Sequence, residues 1–336
     1  MVQLDQSVKS ASSEALRMGS SKTNIGHEDH DERGSATSVR IDGRQVLVTG
    51  TWLKTSMVQD EDLVEGELVA DPASFINRLK ASRLKADLFT FPQNLPDTEP
   101  KHSLHTEWGN WAVIPITTYS EWWQKRVESS VRRAVRKAEK EGVVTEQVEF
   151  EDAFVGGIVN INNETPIRQG RPFWHYHKDF ATVKAENSTY AERNTFLGAY
   201  LKGELIGFIR LTRANTVAHI IQLLTMTKHF DKRPANALIA KAVEVCAKQG
   251  LSYLTYRNYT YNDPNSSLTE FKRRSGFEKV LVPRYYVPLT PVGKIALRLG
   301  LHRGLVKCIP QPILTRLLTV RNEWYSRKAK SEEGSN

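Results

Sequence analysis

The stretch Phe196-Leu-Gly-Ala-Tyr-Leu-Lys-Gly-Glu-Leu-Ile-Gly207 decides the fold. Two apolar runs flank Lys202-Gly203, a dipeptide that suits a tight turn, so the segment reads as a hairpin of strands Phe196 to Leu201 and Leu205 to Leu211. Val217 to Thr227 is a third strand, close enough in sequence to join them as a meander. Beyond a basic loop the periodicity changes. Pro234 opens a helix whose apolar positions Leu238, Ala242, Val245 and Cys246 share a face, and Gly250 ends it. Leu251 to Tyr256 is again a strand and Ser266 to Ser275 a short helix. Phe277 to Val282 and Arg284 to Leu289 are two closing strands.

The first half has mixed grammar too. Gln45 to Leu53 reads as a strand, and Pro72 to Ser82 as a helix capped by Asp71 with proline at its first position. Asp87 to Phe91 and Asn110 to Ile116 are strands on either side of a proline-rich loop. A long helix spans Tyr119 to about Glu141, with Val127, Val131, Ala134, Val135 and Ala138 in one stripe. Arg132, Arg133, Arg136, Lys137 and Lys140 cover much of the remainder, either as a solvated basic face or as a surface for phosphates. Val143 to Phe150 is a strand, and Glu151 to Val159 a helix leading into a segment dense in Glu, Arg, Trp, His and Tyr.

With 336 residues, 40% of them hydrophobic and 25% charged, the chain holds enough apolar material for a large core or two smaller ones. Lys and Arg total 47 against 38 for Asp and Glu, a formal net charge of +9. Cys246 and Cys308 stand far apart with no CxxC partner, which argues for packed thiols in a reducing compartment and against a structural zinc site. No apolar run is long enough to span a bilayer and the start lacks a secretory pattern, so the expected location is the cytoplasm. Residues 1–39 are polar and charged and read as a disordered arm. With no G-x-G-x-x-G, Walker or G-x-S-x-G motif and no metal ligand set in the sequence, metal-dependent hydrolysis and nucleotide-fold oxidoreduction find no support.

The order of three antiparallel strands, helix, strand, helix and strand resembles the core of the GNAT acyltransferases. Phe196 to Gly207 is similar to that family's central hairpin, Leu268-Thr-Glu-Phe-Lys-Arg-Arg-Ser-Gly-Phe277 to its last helix, and Arg284-Tyr-Tyr-Val-Pro-Leu289 to its closing strand. Trp122-Trp123 and the basic helix up to Gly142 resemble the FemAB-like branch, a bacterial type in which two GNAT-like halves are fused. The resemblance covers about residues 40–290. It implies an α/β (α+β) fold of tandem GNAT-like halves, with mixed, mostly antiparallel sheets flanked by helices. The expected divisions are an arm at 1–39, an amino-terminal half at 40–192, a GNAT core at 193–290 and a basic helical tail at 291–336.

The implied activity is transfer of an acyl or aminoacyl group, from acyl-CoA or a charged tRNA, to an amine of a glycan, peptide or lipid-type acceptor. Such chemistry needs a splayed strand pair to align the donor carbonyl, N–H groups to hold its oxygen, and a proton relay. The candidate catalytic residues are Glu164, His175 and Tyr285. Arg168, Arg171, Tyr176 and Tyr256 are candidates for substrate binding, though each also fits a structural role. In this family the CoA pyrophosphate lies at a glycine-rich helix start. Here that turn reads Asp231-Lys-Arg-Pro-Ala-Asn-Ala237, which leaves Lys232, Arg233, Ala235 and Asn236 as candidate cofactor contacts and lacks the glycines. No metal ligand set is expected. Loss of the glycine turn also suits an alternative, a pseudoenzyme that binds nucleic acid or anionic membrane through basic surfaces; a stable DNA complex is not expected.

Between Pro291 and Lys330 Glu323 is the only acid, whereas bases recur among Ile295, Leu299, Leu305, Ile313 and Leu317. Two basic amphipathic helices follow, either docked on the protein's own core or in peripheral contact with the inner face of the membrane.

Overall fold

The computed structural model describes residues 38–168, 171–261 and 266–303. Strands β1 (Ser38–Ile41), β2 (Arg44–Thr49) and β3 (Thr55–Val58) are followed by helix α1 (Pro72–Ala81), β4 (Leu88–Pro92) and β5 (His105–Pro115). Helix α2 (Ser129–Lys140), β6 (Val143–Val148), α3 (Asp152–Asn162), the short strands β7 (Ile167–Arg168) and β8 (Arg171–Pro172), and α4 (Phe180–Ser188) come next. β9 (Asn194–Leu201), β10 (Glu204–Ala214), β11 (Val217–Thr225), α5 (Pro234–Lys248), β12 (Tyr253–Asn258), α6 (Ser267–Arg274), β13 (Glu278–Pro288) and α7 (Pro291–Arg298) complete the order.

The chain divides into two compact units, one formed by residues 111–280 and the other by 38–110 together with 281–303. This differs from the expected boundary between 192 and 193. β6 pairs antiparallel with β9, Val143 opposite Leu201 and Val148 opposite Phe196, and so binds the two sides of that boundary into one sheet. Ser38 and Val39 already belong to β1, while the rest of the expected arm and the second tail helix lie outside the described residues.

In the 111–280 unit the strand order is β12-β11-β10-β9-β6, with the end of β5 on β12. The β9–β10 hairpin turns as its sequence demands, with Lys202 and Gly203 both at positive φ (51° and 82°). Helix α5 packs on β9 and β10 and against α2, while α3 packs on β10 and against α4. Gly207 permits the first contact, because a Cβ there would stand 2.7 Å from Thr225 Cγ2 and 3.3 Å from Leu238 Cδ1.

The long helix expected from Tyr119 is interrupted. After one turn and a π-helical segment at Trp122–Arg126, Val127 is extended and α2 starts afresh at Ser129. The break has tertiary causes. Trp122 is buried with its indole N–H donating to Ser275 O (3.0 Å), and Glu128 N–H donates to Arg274 O (3.0 Å), so α6 draws the chain out of helical register.

The other unit has the order β1-β2-β3-β4-β13. The two closing strands expected from Phe277 to Leu289 are one continuous β13. Helix α1 is capped as its sequence suggests, Asp71 Oδ1 accepting from Ser74 N–H (3.1 Å). Its core is a run of rings, Phe75 on Phe89 (centroids 5.2 Å), Phe89 on Phe91 (5.4 Å) and Phe91 on Tyr285 (5.0 Å). Tyr285 OH donates to Gln93 Oε1 (2.6 Å) and accepts from Lys101 N–H (2.8 Å). Tyr285, expected to be catalytic, is a core tyrosine whose buried hydroxyl both donates and accepts within its own unit. Among the described residues no helix is long and apolar enough to cross a membrane.

Candidate active site

The site begins where two neighbouring strands part. β11 and β12 pair in parallel at Val217 with Tyr253, Ala218 with Leu254 and His219 with Thr255. No ladder pair joins them beyond that point, although β11 continues to Thr225 and β12 to Asn258. β11 stays with β10, where a bulge lies between Arg210 and Leu211. β12 stays with β5, where Thr255 faces Val113 and Asn258 faces Trp111, so Tyr256 and Arg257 are bulged. Arg257 has a φ of 47°, a left-handed conformation that is uncommon for a residue with a side chain and tends to collect at functional sites. The edge of β11 beyond His219 thus offers backbone groups without a strand partner on β12. These suit an elongated donor and its carbonyl oxygen.

At the vertex, Thr255 Oγ1 lies 3.0 Å from Nδ1 of the buried His219, and Trp111 meets the same imidazole edge-on (centroids 6.1 Å). Immediately past it, Tyr256 is buried among Phe277 and Lys272, with Lys272 Nζ 4.6 Å from its ring centroid. Its hydroxyl makes no hydrogen bond, and burial pushes its pKa well above the ordinary 10, so the phenol holds its proton throughout the neutral range. On the open half of β11, Gln222 Nε2 lies 3.2 Å from His175 Nε2. Burial, reinforced by Lys178 and Arg168, holds the pKa of His175 well below 6.5 and keeps the imidazole neutral. His219, Thr255, Gln222 and Trp111 escaped the sequence reading. Polar His219 and Gln222 inside the apolar run from Val217 to Thr225 were the available signal.

The expected carboxylate base has a different task. Glu164 Oε2 accepts from Thr227 N–H (2.6 Å) and Arg168 Nη2 (3.2 Å), and Oε1 accepts from Lys228 N–H (2.8 Å). Arg168 donates to Thr225 O (3.0 Å) and Ile161 O (2.9 Å), its guanidinium 4.3 Å above the Phe173 ring. Its side chain is 2% exposed, and burial lowers its pKa to about 10 against the pull of Glu164. Together they clamp the end of α3 to the end of β11. Glu164 is thus engaged by three donors and Arg168 by three acceptors, while the buried Nε of Arg168 has no partner. Arg171 lies opposite Arg168 in the β7–β8 pair. Tyr176 packs half-buried on the core.

The start of α5 does not fit a CoA pyrophosphate. Pro234 has no N–H, and the N–H groups of Asn236 and Ala237 already donate to Arg233 O (3.2 and 3.3 Å). Ala235 and Asn236 are buried, and Lys232 is held by Glu141 (2.7 Å) and Asp231 (3.2 Å). The fold in general binds acyl-CoA, but this helix start lacks one donor at Pro234, has another turned to Arg233 O at Asn236, and buries Ala235, which makes it a poor cradle for two phosphates.

In the other unit His105, Glu107 and His302 bring three ligand-type atoms within 4.8 Å of one another. Arg303 Nε lies 3.0 Å from the Glu107 oxygen that His302 Nε2 approaches at 2.6 Å, so that oxygen already faces a guanidinium.

Helix α2 supplies a different surface. Val131, Val135 and Ala138 are buried, whereas Arg133, Arg136, Lys137 and Lys140 are exposed at spacings of three and four on the opposite side. Among the described residues no carboxylate forms an ion pair with any of the four.

Residues 158–277 match the acetyltransferase (GNAT) family. No curated protein matches the chain. Among solved structures it is similar to FemX, with 14% identity, a TM-score of 0.54, and coverage of 87% of this chain and 96% of that one. It is similar as well to the C-terminal domain of a putative lysylphosphatidylglycerol synthetase from Agrobacterium fabrum, with 12% identity, a TM-score of 0.53, and coverage of 85% and 94%. A conserved protein of unknown function from Bacteroides thetaiotaomicron gives 12% identity and a TM-score of 0.50 over 75% of this chain and 85% of that one. At these identities the likeness is one of fold, and it agrees with the parted strands: residues 158–277 match the GNAT acetyltransferase family, in a chain whose fold is similar to that of FemX.

Proposed function

We propose that the chain moves an aminoacyl group from a charged tRNA to an amine of a glycan, peptide or lipid-type acceptor, in the gap between β11 and β12. The observation that carries this reading is the end of their ladder at His219 and Thr255, followed by the buried, unbonded phenol of Tyr256. The donor ester carbonyl hydrogen-bonds to the free edge of β11, and the amine nitrogen attacks its carbon. The C–O bond to the ribose breaks as the C–N bond forms. Tyr256 gives its proton to the departing ribose oxygen and regains one from the new ammonium, so no net proton is needed.

Two features favour a tRNA donor over acyl-CoA. The start of α5 is a poor cradle for a pyrophosphate, and α2 carries a cationic stripe without ion-paired carboxylates, suited to a polyanion.

The test is transfer of a labelled group to an amine from aminoacyl-tRNA and, separately, from acyl-CoA thioesters. Consumption of the tRNA ester alone is expected; acyl-CoA as the sole donor overturns the donor assignment. If the four bases each contact a phosphate, tRNA binding weakens about 50- to 150-fold between about 50 and 200 mM salt. Reversing Arg136, Lys137 and Lys140 to Glu then flattens that dependence. Salt-sensitive binding without transfer from either donor would favour the binding-module alternative, for which the lost glycine turn is the motive.

A further inference from the structure

Helix α7 carries two apolar faces and uses only one. Gly293 and Ala296 are buried and Leu297 half-buried, against Leu53 and Leu88. The seat is close: a Cβ on Gly293 would stand 1.9 Å from Asp87 O, and Thr290 fixes the first turn by accepting from Gly293 N–H (3.1 Å). On the other side Val292, Ile295 and Leu299 form a stripe at spacings of three and four, 54%, 57% and 66% exposed. Lys294 and Arg298 border that stripe, and among the described residues neither has an acidic partner. An apolar arc flanked by long cationic side chains is the arrangement of a helix lying in a lipid interface.

We infer that α7 docks on an anionic lipid surface. Charge selects this occupant. The sequence after Arg303 alternates leucines with Lys307, Arg316 and Arg321, and Glu323 is its only acid before Glu332. Packing that segment, or the same helix of a second copy, over the stripe would gather bases beside Lys294 and Arg298. An anionic leaflet neutralises them and accepts the apolar arc, at a gain of roughly fivefold in partition per base.

The test is co-sedimentation of the full chain with phosphatidylcholine vesicles, with and without phosphatidylglycerol. Binding to the anionic vesicles alone is expected. Lys294→Glu with Arg298→Glu should lower it at least about 25-fold, and Ile295→Ser with Leu299→Ser should abolish it while the melting curve is unchanged. Retention of binding by both pairs overturns the proposal, as does failure of the parent chain to bind. In a Cys308→Ser background, Ile295→Cys should react with a thiol reagent in free protein and be protected by anionic vesicles. A thiol already unreactive without lipid means that protein covers the stripe, which also refutes the reading. Transfer activity enters none of these readouts, so the inference and the transferase assignment stand or fall separately.

Discussion

Replacing Tyr256 with Phe should make the protein more stable and the enzyme inactive. The ring sits in a packed site against Phe277 and under Lys272, and both contacts survive the change. Only the hydroxyl is lost, and in the structure it is buried without a hydrogen-bond partner. A buried polar group left unsatisfied costs about 1–3 kcal/mol, so its removal should raise unfolding stability by about that amount. For a unit of this size the gain corresponds to roughly 2–4 °C in Tm for each kcal/mol, read by urea and thermal unfolding. Transfer should fall by about 100-fold or more, the usual scale for loss of a proton relay. A residue retained against stability is one that function holds in place. A fall in Tm on substitution would show that the hydroxyl is a satisfied structural group and refute the reasoning. A rise in Tm with transfer intact would remove Tyr256 from the mechanism and leave the parted strands as the site.

Glu164→Ala should destabilise the fold by about 3 kcal/mol, because it leaves the guanidinium of Arg168 buried without its counter-charge. Adding Arg168→Met should recover part of that loss in a double-mutant cycle by urea unfolding; strict additivity would mean that the clamp does not exist. Glu270 accepts from Arg273 and Arg274, and those hydrogen bonds hold its pKa at about 2. A carboxylate whose pKa is depressed on folding contributes stability that is complete above its unfolded value near 4.5 and disappears as pH falls toward 2. Parent and Glu270→Gln unfolding curves should therefore differ at neutral pH and converge in that acid range.

Local structure was legible wherever a residue's own conformational needs determine it. The hairpin at Lys202-Gly203, the Asp71 cap, the proline start of α5 and its Gly250 stop are all decided within a few residues. What the sequence concealed are relations across long separations. The break in the helix at Val127 is made by hydrogen bonds to Arg274 and Ser275, so no periodicity within residues 119–141 could reveal it. Helix α4 escaped because its apolar residues form no stripe. The candidate site suffered most. Glu164, Arg168 and His175 drew notice as charged groups in a loop, yet burial turned two of them into a clamp and the third into a neutral partner of Gln222. The parting of β11 from β12 has no local signature, and neither does an unbonded phenol.

The two basic helices are separated by what accompanies their charge. On α2 the cations lie opposite the buried stripe, and the helix itself exposes no large apolar side chain beside them. Its attraction for a polyanion is then purely electrostatic, and it fades with salt in proportion to the phosphates engaged. On α7 the bases border Ile295 and Leu299, both more than half exposed, and burial of those side chains adds a hydrophobic contribution that salt does not screen. Raising the ionic strength should therefore strip tRNA from the chain while an anionic vesicle still retains a residual affinity. That residue should vanish with Ile295→Ser and Leu299→Ser, and be untouched by charge reversal on α2. If the two affinities instead decline in parallel, the apolar stripe contributes nothing and both helices act only as positive charge.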